Sequence, residues 1–225
     1  MTKLHISFCL YGKGPKYNVG MIRNAELHKK IYPGSIMRVY FDNSVPQNTI
    51  DELQKLGVQL RNMTGHRASG MFWRFLIHDD PRVGHWLSRD ADSRLSEREA
   101  AAVAEWLESG KELHVMRDHP WHNAPILGGM FGMAPCSFNM AAAIAKWKRF
   151  GKWQHDQQFL RERVLPAFRG KILAHEEKKF KFKYQPSRPF PTKRRGAAYV
   201  GEIISATEGT LKEHRDVLRK ALNRK

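Results

Sequence analysis

The sequence predicts an α/β fold: a mostly parallel sheet covered by helices on both faces, followed by a less regular C-terminal part. Three observations carry this. Strand-like and helix-like stretches alternate over the first half of the chain, an order that suits parallel strands joined by helical crossovers. The 225 residues are 41% hydrophobic, enough to bury the core of one large domain. Tyr11, Asp42, Asp90, Asp92 and Asp118 each stand just after an apolar run. They would share the rim formed by the carboxyl ends of the strands, where sheets of this class collect ligands.

Residues 4–10 alternate and then run apolar, as a buried first strand does. The stretch from Tyr11 through Gly12, Lys13, Gly14 and Pro15 breaks it, and a helical pattern over 18–31 closes at Tyr32, Pro33 and Gly34. Residues 36–41 form a second strand ending at Asp42 and Asn43. Asn48 or Thr49 caps a helix that runs to Leu56 and stops at Gly57. Residues 58–63 are the third strand.

A loop of small and basic residues spans 64–69. Residues 70–77 are apolar on nearly every side except at Arg74, as in a buried helix, and Asp79, Asp80 and Pro81 end it. Residues 85–88 are a short fourth strand. Ser96 and Glu99 have capping-box spacing ahead of a helix whose Ala100, Val103, Ala104 and Leu107 share a face, with Gly110 as its stop. Residues 112–116 are the fifth strand.

Past Met116 the alternation ends. Residues 126–133, ILGGMFGM, are glycine-rich and apolar; helices are expected over 138–150 and 156–164. Residues 170–195 are irregular and basic, and the alternating KKFKFKY at 178–184 suits an edge strand. A short strand or turn at 199–202 and a polar helix over 207–223 complete the chain.

Lys and Arg number 39 against 22 Asp and Glu, a net charge of +17. That excess implies an anionic partner: nucleic acid, a membrane surface or a phosphate-bearing substrate. Cys9 and Cys136 lie among apolar or small residues and suit buried free thiols rather than a disulfide framework. The first residues enter a strand at once, and no run reaches membrane-spanning length. A soluble, cytoplasmic protein is expected, with peripheral membrane contact as one use of the basic surface.

The acidic pair Asp90 and Asp92 lies within HWLSRDADSRLSEREA. Nine Asp in 225 residues yield about 0.4 such D-x-D pairs by chance, so context decides. Two carboxylates at a strand end can converge on a hard divalent cation, which takes oxygen ligands and can bridge phosphate oxygens. The alternative is a solvated turn.

The stretch RDADSRLSEREAAAVAEWLESGKELHVMRDHPWHNAPILGGMFG resembles small glycosyltransferases of the GT-A fold, found in bacterial polysaccharide loci and in large DNA viruses of algae. MFWRFL upstream and HDQQFL, RPFPTKR and YVGE downstream extend the resemblance over residues 4–204, densest over 70–160. It implies Mn²⁺ or Mg²⁺ held by Asp90 and Asp92 against the diphosphate of a nucleotide sugar. It also implies a nucleotide-binding half over 1–118, an acceptor side and lid over 119–206, and a C-terminal helix over 207–225. The expected partners are a nucleotide-sugar donor, with UDP first among nucleoside diphosphates, and a glycan or glycoconjugate acceptor, with no nucleic acid.

Glycosyl transfer breaks the bond between the anomeric carbon and a phosphate oxygen, and a divalent ion offsets the charge that develops. Asp92 is the first choice for direct ligand. Asp90, nearer the strand, contacts ribose or holds the ion through water, and His175 is the candidate for a late histidine ligand, the alternative being a surface histidine. Arg67 and Arg74, Arg89, and Lys193 and Arg194 of a PFPTKRR lid are candidates for the diphosphate cradle, since arginine forks suit phosphate oxygens; solvated surface charge is the alternative for each. The resemblance implies that the base binds beside Tyr11 and Gly12 at the end of the first strand, with Asp42 ending the second; for Tyr11 simple packing is the alternative. An inverting reaction needs a group to deprotonate the acceptor, and Asp118 or Asp156 could do it, although Asp156 also suits a helix N-cap. Gly128 and Gly129 would let a sugar approach the backbone, or mark a bulge or tight turn. His119 and Trp121 fall on the acceptor side, Trp121 stacking on a sugar face or merely packing; His119 and His122 are spaced H-x-x-H, but Pro120 breaks the helix that zinc would need.

Two other readings compete. A nucleotidyltransferase or nuclease also uses carboxylate-bound metals and suits a basic protein, though no P-loop is present. A basic module could bind nucleic acid or an anionic membrane through residues 171–195, with Phe180, Phe182 and Tyr184 stacking on bases.

Overall fold

The computed structural model describes residues 3–148, 155–180 and 182–223. Among them eight strands form one sheet in the order β3-β2-β1-β4-β6-β5-β7-β8. The strands are β1 His5–Leu10, β2 Ile36–Phe41, β3 Gln59–Asn62, β4 Trp86–Arg89, β5 Leu113–Arg117, β6 Met130–Met133, β7 Ile172–Glu176 and β8 Ser187–Arg188. Every pairing is parallel except those of β6, which runs against both β4 and β5.

Alternation in β1 sends Ile6, Phe8 and Leu10 to one face. There they meet α1 (Pro15–Ile31), α2 (Gln47–Lys55) and α4 (Glu97–Glu108) through Met21, Leu53, Val103 and Trp106. The opposite face carries α3 (Gly70–Trp73), α5 (Met140–Ala145) and α6 (His155–Phe159), with Phe72, Phe75, Trp86, Phe131 and Phe159 as its core. The expected α/β sheet covered on both faces is therefore present. The C-terminal helix α7 (Lys212–Leu222) packs apart from these two cores, with Leu218 buried beside Ala197 and Tyr199. No helix among the described residues is long and apolar enough to cross a membrane.

Several expected elements take a different form. The helix expected over 70–77 divides into α3 and a 3₁₀ turn at Leu76–Asp79. The Ser7 hydroxyl donates to the Arg74 carbonyl at the break, 2.7 Å away, and satisfies it from outside the helix. Ser96 caps α4 by accepting from the Glu99 amide, but Glu99 does not reach back as a full capping box requires. Its carboxylate is buried and accepts from Arg89 Nε and Tyr32 Oη, both at 3.0 Å.

The helix expected over 138–150 covers only Met140–Ala145, and its last expected positions, 149 and 150, lie outside the described residues. The edge strand expected over 178–184 is absent among the described residues. Lys178–Phe180 form a 3₁₀ turn, while Phe182 and Tyr184 stack with centroids 6.4 Å apart, both beside the Arg117 guanidinium. That edge of the sheet is made instead by β7 and β8, from the segment expected to be irregular.

Candidate active site

A cavity of about 720 Å³ opens where β1 and β4 end and β6 begins. Tyr11 follows β1, and the 90–92 turn follows β4. Lys16 and Tyr17 come from the first turn of α1, Arg74 from just after α3, and Asp156 from α6. Because β6 is antiparallel, its entry rather than its exit lies on this rim, and it delivers Gly128 to the same cavity.

Arg74 organises the floor. Its side chain is only 5% exposed. It pairs with Asp90, reaches Asp156 at 3.2 Å and donates to the Arg89 carbonyl at 3.1 Å. Asp90 remains 46% exposed to the cavity, while Asp156 is buried. Burial pushes the Asp156 carboxyl above its ordinary value, against the pull of Arg74. Asp92 pairs with Lys16 at 2.8 Å. Three carboxylates thus face two cations.

The glycine pair is explained by this cluster. A Cβ on Gly129 would fall within the Asp90 carboxylate, and one on Gly128 within that of Asp156. The space expected for an approaching sugar is therefore filled by the two side chains, which need glycine beside them. The Cys9 thiol lies on the floor too, but burial pushes it up to about 11, so it is not poised as a nucleophile.

The far wall is aromatic. Trp121 is 49% exposed and meets the His214 ring edge-on at 4.8 Å. Tyr199 Oη lies 2.9 Å from His214 Nδ1. His119 uses both ring nitrogens: Nε2 donates to the His214 carbonyl at 2.9 Å, and Nδ1 accepts from the Trp121 amide at 3.1 Å. Burial lowers His119 and takes His122 down to about 3, so both rings are neutral near pH 7.

The structure gathers Tyr11, Arg74, Asp90, Asp92, Asp156, His119, Trp121 and Gly128 around one cavity, with Gly129 directly behind Asp90. Gly12 and Asp42 stand on the same rim, joined through Ser44: the Gly12 amide donates to Ser44 Oγ at 2.6 Å, and the Ser44 amide donates to Asp42 at 3.0 Å.

Other expected site residues lie elsewhere. His175 is fully buried in β7, its Nδ1 2.8 Å from His114 Nε2 and its Nε2 3.0 Å from Glu105, so neither nitrogen is free to reach the acidic pair. Asp118 is fully buried and holds Arg98, Arg194 and the Val200 amide; no edge of it meets the cavity. Arg194 is consumed by that contact and by the Ala198 carbonyl, which ties the segment expected as a lid to the body. Arg89 is buried against Glu99 and the carbonyls of Ser88 and Phe131. Arg67 is exposed on the loop before α3, so it shares no helix face with Arg74, and Lys193 is exposed outside the cavity lining.

Sequence reasoning passed over Lys16, Tyr17, Tyr199 and His214, all of which line the cavity. Lys16 had a usable signal, a base at the start of a helix directly after the first strand. His214 had none, being one polar residue in a polar helix.

No protein-family model matches the chain, and no curated protein matches it. Solved structures do. One is a glycosyltransferase involved in glycosylation of the major capsid of PBCV-1, at 14% identity and TM-score 0.51, covering 77% of this chain and 81% of that one. Another is a putative nucleotide-diphospho-sugar transferase from Desulfovibrio desulfuricans G20, at 10% and 0.52, covering 78% and 80%. A third is glucosyl-3-phosphoglycerate synthase from Mycobacterium tuberculosis in complex with Mn²⁺, UDP-glucose and glycerol 3-phosphate, at 10% and 0.51, covering 78% and 70%. Identities this low speak for architecture, and the chain has the GT-A fold that these nucleotide-sugar transferases share.

Proposed function

We propose that this chain is a divalent-metal-dependent glycosyltransferase that moves a sugar from a nucleoside diphosphate, UDP foremost, to a glycan or glycoconjugate acceptor. The observation that carries this is the pairing of Asp90 and Asp92 on the rim of a large cavity in a GT-A sheet. The donor set suits a hard cation: carboxylate oxygens, one of them 46% exposed, in a cluster left with one net negative charge. Among the described residues no three His, Cys, Asp or Glu side chains form a closed metal cage, so the remaining ligands would be diphosphate oxygens and water. Asp92 and Asp90 would hold Mn²⁺ or Mg²⁺, which when bound acts as a Lewis acid toward the leaving diphosphate.

The chain's own groups divide the remaining work. Tyr11, edge-on to Trp73 at 6.0 Å, offers a ring to the base. Asp156 accepts the proton of the acceptor hydroxyl, with its buried carboxyl raised toward the working range of a general base and oriented by Arg74. Trp121 offers a face to an acceptor sugar, with His214 beside it. Residues 1–118 serve the donor and 119–206 the acceptor, and the C-terminal helix adds His214 to the acceptor wall.

The test is thermal unfolding with nucleoside diphosphates, with and without Mn²⁺. A nucleotide at 100 times its Kd adds about 2.7 kcal/mol of stability. The expected result is a rise of several degrees in Tm that needs metal and disappears in Asp92→Asn. No rise with any nucleoside diphosphate plus Mn²⁺ would overturn the proposal. A panel of nucleotide sugars assayed for metal-dependent hydrolysis then identifies the donor.

A further inference from the structure

The two aspartates of the acidic pair are held by very different cations. Arg74 is 5% exposed and also binds Asp156 and the Arg89 carbonyl. Removing it from Asp90 would leave a buried guanidinium short of partners, at considerable cost. Lys16, by contrast, is 37% exposed, and among the described residues its one carboxylate partner is Asp92, which is itself only 15% exposed. A partly exposed lysine on a flexible stem gives up such a pair cheaply.

The position of Lys16 is also informative. It stands at the start of a 17-residue helix whose first turn holds no acidic residue. The positive end of the helix dipole disfavours a cation there and favours an anion. The Asp92 backbone is fixed, since its carbonyl accepts from the Ile204 amide at 2.8 Å. The lysine is therefore the member of the pair that can move, and its side chain lines the same cavity.

We propose that Lys16 is an exchangeable counter-ion of Asp92: a divalent cation entering with the nucleotide displaces it, and its ammonium then turns to the diphosphate oxygens. This rests on the donor-site reading above and adds the order of events. Metal alone competes with the lysine and binds weakly. Metal and nucleotide together give the displaced ammonium a new partner, so each strengthens the other.

The experiment is a Mn²⁺ titration followed by the electron paramagnetic resonance of free Mn²⁺, with and without UDP, on wild type and Lys16→Met. UDP affinity at saturating Mn²⁺ is measured by calorimetry. Without nucleotide, Lys16→Met should bind Mn²⁺ about threefold to fivefold more tightly, the size of a partly exposed ion pair lost as competitor. With saturating Mn²⁺ it should bind UDP about tenfold more weakly, the size of one charge-assisted hydrogen bond. Lys16→Gln, polar but uncharged, should show both shifts.

Unchanged or weaker Mn²⁺ binding in the variants overturns the competition, and unchanged UDP affinity overturns the transfer to diphosphate. If wild type itself binds neither Mn²⁺ nor UDP, GDP, ADP or CDP with Mn²⁺, the donor-site reading fails and the exchange fails with it. That outcome is distinct from a wild type that binds and a variant that binds identically.

Discussion

Two clusters of aspartate and arginine follow successive strands of this chain, and they have opposite characters. After β4, Asp90 and Asp156 share Arg74 while Asp92 holds Lys16, and the group faces a cavity. After β5, Asp118 takes Nε and Nη2 of Arg98 at 2.9 Å, two nitrogens of Arg194 at 2.5 and 3.2 Å, and the Val200 amide at 3.0 Å. The first cluster has more carboxylates than cations and solvent at its edge. The second balances two cations with two carboxylates, since Glu177 also reaches Arg194 at 3.4 Å, and Asp118 at its centre has no solvent. A strand-end aspartate is thus open to a ligand only when its neighbours leave lone pairs unused; position on the rim is not enough.

Three substitutions would break or sharpen that contrast. The largest effect is expected from Asp118→Ala, which takes the shared carboxylate from two largely buried arginines and should cost about 3–5 kcal/mol in urea unfolding. A loss below about 1 kcal/mol would mean that the sealed cluster is not the tether described here. Gly129→Ala comes next. The new Cβ collides with the Asp90 carboxylate, and displacing it should weaken Mn²⁺-dependent nucleotide binding about tenfold, or about 1.4 kcal/mol by calorimetry. Affinity equal to wild type would show that Asp90 plays no part in the donor site.

The effect smallest at neutral pH, and growing only on acidification, concerns His122. His122 is a base lowered by burial from 6.5 to about 3, so its contribution to stability is complete above pH 6.5 and is lost as the pH falls toward 3. Tm should therefore fall over that window, and His122→Asn should flatten the slope. An identical slope in the variant would assign the acid sensitivity to other groups.

Much of the first half was legible in the sequence because its signals are local. The apolar runs of β1 and β2, the Ser96 cap and the alternation of elements need only near neighbours. Asp90 and Asp92 could be placed on the rim for the same reason. What could not be read depends on partners far along the chain. β7 carries His175 and Glu176, residues that look solvated until His114, Glu105 and Arg117 are seen to satisfy them. Asp118 and Asp156 were both candidates for the base, with an N-cap as the alternative for Asp156, since the arginines that seal one and share the other are 20 or more residues away. The stretch 178–184 alternated like a strand, but its rings pack over one guanidinium instead of pairing with a neighbouring strand.

β6 enters the sheet at the cavity rim because it runs against both of its neighbours. Side chains on a strand change sides with every residue, so sliding this one by a single position would turn Phe131 out of its core and carry the two glycines past the carboxylates they accommodate. Buried Ile126 and the Ala124 and Pro125 carbonyls held by Arg117 fix the end of the connection ahead of it, so that connection can change length only near the exposed Asn123, and the three residues from Gly128 to Met130 can gain or lose nothing. A change of length near Asn123 would reach the aromatic wall around Trp121, whereas one at Gly128 would reach the carboxylates of Asp90 and Asp156.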